Sequence, residues 1–165
     1  MRLAVPKEIV AGERRVALVP ETCKKLIKVG AEIAVEAGAG LASYFSDEEY
    51  RSAGVTIVAD VTALLAEGDF VLKVQPPVAN ASTGRHEADL LKSGSILLTT
   101  LYPTRNLDVV RRLASREITA FAADCFPRTT RAQTMDVLSS MANIGGYKGV
   151  VIAANELAKY FPMFM

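Results

Sequence analysis

The sequence is poor in the residues that catalysis and cross-linking use most. One histidine, His86, and two cysteines, Cys23 and Cys125, occur among 165 residues. Two cysteines so far apart suit neither a zinc site nor a disulfide framework. Two free thiols in a reducing compartment, and no metal, are therefore expected. A lone histidine in the polar stretch Thr83-Gly84-Arg85-His86-Glu87 reads as a solvated helix start. It supports no serine–histidine or cysteine–histidine pair, so acid–base chemistry by histidine is not expected. Charge of one sign is missing too: 19 Lys plus Arg face 18 Asp plus Glu, a net of +1. That balance leaves no electrostatic footprint for nucleic acid. Long apolar runs are absent as well. Nothing approaches the ~18 uninterrupted apolar residues of a membrane span. Lys7, Glu8, Glu13, Arg14 and Arg15 break up any apolar stretch resembling a signal peptide. A soluble chain without direct membrane insertion is expected.

What is present suffices for a core. Half the residues are hydrophobic and 22% are charged, which excludes a disordered chain. The surface scaling law gives roughly 8,000 Å² folded against about 26,000 Å² unfolded, so about 69% of the surface can be buried. Short apolar runs alternate with amphipathic stretches, the signature of an α/β domain with a mainly parallel sheet. Strands are predicted at Leu3–Val5, Ala31–Glu36, Val55–Val58, Phe70–Val74, Ser95–Thr100 and Ile118–Ala122. Helices are predicted at Glu21–Val29, Asp47–Ala53, Val61–Ala66, Glu87–Lys92 and Asn106–Ser115. Gly30 stands where a helix C′ glycine belongs, and Ser46-Asp47-Glu48-Glu49 is a capping box. The fold class is a Rossmann-like or flavodoxin-like three-layer α/β domain, residues 1–132, followed by a long C-terminal helix in residues 133–165.

That last third reads as one helical pattern from Gln133 to about Tyr160, with Met135, Leu138, Met141, Ala142 and Leu157 on its apolar side. At ~1.5 Å per residue it would span about 40 Å, more than a compact domain of this size needs. Gly145, Gly146 and Gly149 lie within it, each costing roughly 1 kcal/mol relative to alanine. Close approach of another backbone is the expected compensation. The apolar ending Phe161-Pro162-Met163-Phe164-Met165 reads as a cut in a longer chain.

Three groups of residues could carry chemistry. Gly38-Ala39-Gly40 follows a strand, but Ser43 occupies the third glycine position of a dinucleotide fingerprint, so a turn is expected. Arg15 lies between a strand and a helix, and Lys73 sits near the end of an apolar strand. Each either faces a ligand or completes a buried ion pair. The densest polar constellation runs from Pro127 to Ser140. There Gln133, Asp136 and Ser139, spaced by three, would share one helix face near Arg128 and Arg131. Helix capping alone would account for Asp136.

Three stretches carry a resemblance. Val5-Pro6-Lys7-Glu8, Glu13-Arg14-Arg15-Val16-Ala17-Leu18 and the run Arg131 to Ile144 resemble the family shared by alanine dehydrogenase and the proton-translocating nicotinamide nucleotide transhydrogenases. The resemblance covers essentially the whole chain and is closer to the NAD(H)-binding domain of the transhydrogenase alpha subunit. It implies two Rossmann-like halves joined by long helices, of which this chain matches the first. The glycine fingerprint for the NAD pyrophosphate would lie in the second. It further implies that Arg128, Gln133, Asp136 and Ser139 position the nicotinamide and its ribose, the first three as catalytic groups. Arg15 and Lys73 match residues that grip the pyruvate carboxylate in alanine dehydrogenase. The implied activity is hydride transfer from NADH to NADP⁺, with NADP(H) on a partner domain. The implied partners are the rest of the alpha subunit and a membrane and NADP-binding beta subunit, in a homodimer at the cytoplasmic, inner face of the cell membrane. At Tyr102-Pro103, where alanine dehydrogenases carry a catalytic histidine, this sequence has none. Carbonyl reduction needs a proton donor beside the hydride, whereas transfer between two nicotinamides does not. The alternatives are an alanine dehydrogenase fragment, or a non-catalytic module that dimerises or docks through the long helix.

Overall fold

A computed structural model describes residues 1–161. The chain divides into a first unit, Met1–Ala123, and a second that begins at Asp124.

The first unit is built on six parallel strands: β1 (Arg2–Val5), β2 (Glu32–Glu36), β3 (Thr56–Val58), β4 (Phe70–Leu72), β7 (Ile96–Thr99) and β8 (Thr119–Ala122). Two short strands, β5 (Ala79–Asn80) and β6 (Arg85–His86), form a separate antiparallel hairpin. The large sheet has the order β3-β2-β1-β4-β7-β8. Its strands, counted in chain order, run 3-2-1-4-5-6, the Rossmann arrangement, with the reversal between β1 and β4. All six predicted strands are present, with ends close to those expected, because apolar β-branched runs mark strands buried on both faces.

The connecting helices are α1 (Pro20–Lys28), α2 (Asp47–Ser52), α3 (Val61–Glu67), α4 (Glu87–Leu90) and α5 (Leu107–Ser115). Local chemistry sets their ends. Ser46 caps α2 by accepting from Glu49 N–H, while the Glu49 carboxylate accepts from Ser46 N–H at 2.7 Å, completing the box. Gly30 follows α1 at φ +91°, a conformation that costs an L side chain energy. Gly40 is held for space instead. A Cβ there would lie 2.6 Å from Tyr50 Cε2 and 2.8 Å from Phe45 O, so this glycine packs a turn and cradles no phosphate.

Each face of the sheet has its own core. Ala4, Val71 and Leu97 meet Leu64 and Leu65 of α3, Leu90 of α4, and Val109 and Leu113 of α5. On the opposite face Leu3, Val5, Ile33, Val35 and Leu72 meet Cys23 of α1 and Tyr50 of α2. Full burial of one such aliphatic side chain contributes about 1.5–3 kcal/mol. Tyr50 brings its hydroxyl inside and satisfies it by donating to Leu18 O at 2.8 Å. Both cysteines are free, and burial pushes the Cys23 thiol up to about 11.

The second unit differs from expectation at both ends of its helix. A 3₁₀ turn spans Thr130–Met135, and the α-helix, α6, runs only from Val137 to Glu156. Asp136 is its N-cap, which ends the 3₁₀ segment and starts the α-helix one residue later. Gln133, Asp136 and Ser139 therefore do not share one α-helix face. Nor is there a single apolar side: Met141, Ile144, Tyr147, Val150, Val151 and Ile152 are distributed around α6 and all are exposed. Nothing lies within 4 Å of a Cβ built at Gly145, Gly146 or Gly149, so the expected close backbone is not met here. The predicted extension to residue 165 ends in residues 162–165, outside the described residues.

Candidate functional site

In a doubly wound sheet, ligands bind outside the carboxyl ends of the strands where the order reverses. In the first unit that place lies between the loops after β1 and β4, and it is rich in charge. Lys73, directly after β4, is buried, with its side chain 1% exposed. Its ammonium donates to Glu87 Oε1 at 2.9 Å and to Glu8 Oε2 at 3.3 Å, and both carboxylates are 2% exposed. Glu8 also accepts from Val74 N–H at 2.5 Å, and Glu87 from Val78 N–H at 2.9 Å. Every carboxylate oxygen of the trio thus has a donor, the condition under which buried charge is tolerated. Nearby, Glu36 accepts from Lys7 N–H at 2.7 Å, and burial raises its carboxyl above the usual range.

Arg15 is held the same way, closer to the surface. Its Nε and Nη2 donate to the two oxygens of Glu13 at 2.8 and 2.6 Å, a bidentate pair. Gln75 Nε2 donates to Glu13 Oε2 at 2.6 Å, tying the loop after β1 to the end of β4. Arg15 and Gln75 hold the Glu13 carboxyl at about 2, despite the opposing effect of burial. Both cations singled out in the sequence therefore have internal carboxylate partners. The sequence signalled that Lys73 needs one but not which, since Glu8 and Glu87 lie 65 and 14 residues away.

The second unit gathers the other four candidates. Arg128, Gln133, Asp136 and Ser139 line one pocket of about 330 Å³ together with Thr129 and Thr130. Local chain geometry assembles it. Thr129 N–H donates to Pro127 O and Ala132 N–H to Thr129 O, each at 3.0 Å, curling the segment into the 3₁₀ turn. In a 3₁₀ turn residues three apart eclipse, which is why the threefold spacing still brings these groups together. Asp136 Oδ1 accepts from Ser139 N–H at 3.0 Å and Oδ2 from the Ser139 hydroxyl at 2.6 Å. Those two bonds, with the nearby charge of Arg128, lower the Asp136 carboxyl below the usual aspartate range. Thr129 and Thr130 were visible in the sequence only as members of a polar run.

Because the folded carboxyl of Asp136 is depressed, its contribution to α6 is complete above the unfolded aspartate range and is lost as pH falls through the folded value. Asp136→Ala should reduce the helical circular dichroism of the chain at neutral pH, while Asp136→Asn, an equally good N-cap, should retain it. Equal spectra for Asp136→Ala and the parent would remove the capping role.

The pocket's chemistry suits the uncharged end of a dinucleotide. The Gln133 amide can both donate to and accept from a carboxamide, and the threonine and serine hydroxyls can meet a ribose diol. A pyrophosphate would need a glycine-rich turn opening a helix, and no such element occurs among the described residues. Likewise, no group of three or more His, Cys, Asp or Glu able to hold a metal occurs among them. No helix among them is long and apolar enough to cross a membrane.

A family profile described as "Alanine dehydrogenase/PNT, N-terminal domain" matches residues 4–145. The chain is 44% identical over 165 residues to an NAD(P) transhydrogenase subunit alpha chain of Rhodospirillum rubrum, a match that covers all of this chain and 43% of the relative. It is 33% identical over 159 residues to alanine dehydrogenase of Bacillus subtilis, covering 96% of this chain and 39% of that one. The crystal structure of transhydrogenase from Sinorhizobium meliloti superposes with a TM-score of 0.89 at 38% identity, over 100% of this chain and 47% of the other. The chain thus spans less than half the length of these relatives. With most of its residues inside the family profile, the chain belongs to the alanine dehydrogenase/PNT family through its N-terminal domain.

Proposed function

We propose that the chain belongs to the NAD(H)-binding alpha subunit of a proton-translocating NAD(P) transhydrogenase and takes part in hydride transfer from NADH to NADP⁺. The observation that carries this reading is the convergence of Arg128, Gln133, Asp136 and Ser139 on one pocket of the second unit. The dinucleotide, when bound, supplies the hydride, and the protein supplies position and charge. Arg128 brings a permanent cation to the pocket, and Gln133 orients the carboxamide. Asp136 is fixed by Ser139, so that its charge and the serine hydroxyl hold one geometry. Arg15 and Lys73 belong to the charged cluster of the first unit, where their carboxylate partners keep the loops after β1 and β4 in place. NADP(H) would sit on a partner domain. The remaining partners are the rest of the alpha subunit and a membrane and NADP-binding beta subunit. The assembly is a homodimer at the cytoplasmic face of the membrane, held there through the complex.

The alanine dehydrogenase reading has less support. Its chemistry needs a proton donor at the carbonyl. The only histidine, His86, accepts from Ala88 N–H through Nδ1 at 3.2 Å and so caps α4. Burial also lowers its imidazole below the usual range.

The test is a chimera in which these 165 residues replace the matching portion of the Rhodospirillum rubrum subunit. Combined with an NADP-binding partner, it should transfer hydride between NADH and NADP⁺ and show no NADH oxidation dependent on pyruvate and ammonium. The opposite pattern would replace the proposal with the dehydrogenase.

A further inference from the structure

The two faces of the sheet are covered unequally. The connections that run through α3, α4 and α5 place those helices against one face. Only α1 and α2 lie against the other, over β1, β2 and β3. With β8 the sheet is finished, so no connection between its strands is left to cover β4, β7 and β8 on the α1 side.

The strands record this gap. β7 is hydrogen-bonded on both edges, to β4 and to β8. An interior strand of a parallel sheet is normally buried on both faces. Here Leu97 and Thr99 are buried, whereas Ile96 and Leu98 are only half-buried. The register pairs Leu72 with Leu98 and Leu98 with Phe121, so these three side chains share the open face. Phe121 on β8 is 47% exposed. Toward α1 the same face deepens into an apolar groove of about 540 Å³, lined by Leu3, Leu26, Val29, Phe70, Leu72 and Leu98 among others, with no charged side chain in its wall.

We infer that this face is the docking site for an apolar-faced helix supplied by the portion of the alpha subunit that lies outside these 165 residues. The inference rests on the reading of the chain as a piece of that subunit. Parallel sheets are covered by helices, and an uncharged groove selects an apolar flank. The length is available: 43% of the Rhodospirillum rubrum relative is matched, so over half of it lies outside the match. The Sinorhizobium meliloti transhydrogenase shares this fold in 47% of its chain, leaving a similar remainder.

Thiol labelling tests it. Phe121→Cys is placed in a Cys125→Ser background, both in the isolated chain and in the chimera with the Rhodospirillum rubrum remainder. The thiol should react freely in the isolated chain and at least about 10-fold more slowly in the chimera, where labelling awaits local opening. Equal rates in the two proteins would overturn the docking site. So would slow labelling of the isolated chain accompanied by dimers in sedimentation, because a second copy would then be the occupant. If the chimera does not fold, the remainder is co-expressed as a separate chain. The parent should retain it and Phe121→Lys should not, and equal retention overturns the proposal. NADH titration of the chimera separates the two readings. Protection without NADH binding keeps the docking face and removes the function, and NADH binding without protection does the reverse.

Discussion

Lys73→Met should melt far below the parent. The substitution keeps the length of the side chain and removes its charge, leaving the carboxylates of Glu8 and Glu87 buried near each other with no cation. Breaking a buried pair from one side costs about 3–5 kcal/mol. For a chain of this size that corresponds to a Tm lower by roughly 6–20 °C. The loss belongs to the orphaned charges rather than to the missing lysine. Adding Glu87→Gln should therefore restore some of it, with a coupling of about 0.5–3 kcal/mol in the double-mutant cycle. Thermal and urea melts of the four proteins decide the matter. Lys73→Met melting with the parent would show that the ammonium is not committed to its internal partners. A ligand carboxylate would then be its better explanation.

That lysine also marks how far the sequence could be read. The strands were legible because Phe70-Val71-Leu72 and Ile96-Leu97-Leu98 are continuous apolar runs of a kind that only a buried parallel sheet accommodates. Helix starts were legible where a side chain caps them, as at Ser46. The β5–β6 hairpin was not, since strands of two residues carry no periodicity. The start of α6 was misplaced for a related reason. Residues spaced by three fit a 3₁₀ turn as well as an α-helix, and only Asp136, folded as an N-cap, separates the two. In the site, a charge in an apolar strand announced that Lys73 needed a partner. Its identity depended on the loop after β1 reaching the start of α4, a long-range fact that local pattern does not hold. The pocket in the second unit was more legible because its residues are near neighbours in the chain. The open sheet face was invisible, because Leu98 and Phe121 look in sequence like any other core residues.

Arg128→Ala and Gln133→Ala, each made in the chimera, should slow hydride transfer much more than they weaken NADH binding. The reason lies in what the pocket lacks. Among the described residues no glycine turn receives a pyrophosphate, so most of the affinity for the dinucleotide must come from elsewhere in the subunit. What the pocket can supply is orientation of the reacting ring. Loss of an orienting group that displaces the reacting atoms by about 1 Å can cost on the order of 10²-fold in rate. The isolated chain, by the same logic, should bind NADH weakly or undetectably in a fluorescence titration. Arg128→Lys should recover only some of the rate, because a compact ammonium does not reproduce the planar fork of a guanidinium. Single-turnover stopped-flow, with NADH affinity measured on the same preparations, separates the two effects. Unchanged single-turnover rates in both alanine variants would remove the positioning role. A loss confined to affinity would make the pocket a binding surface with no role in aligning the hydride.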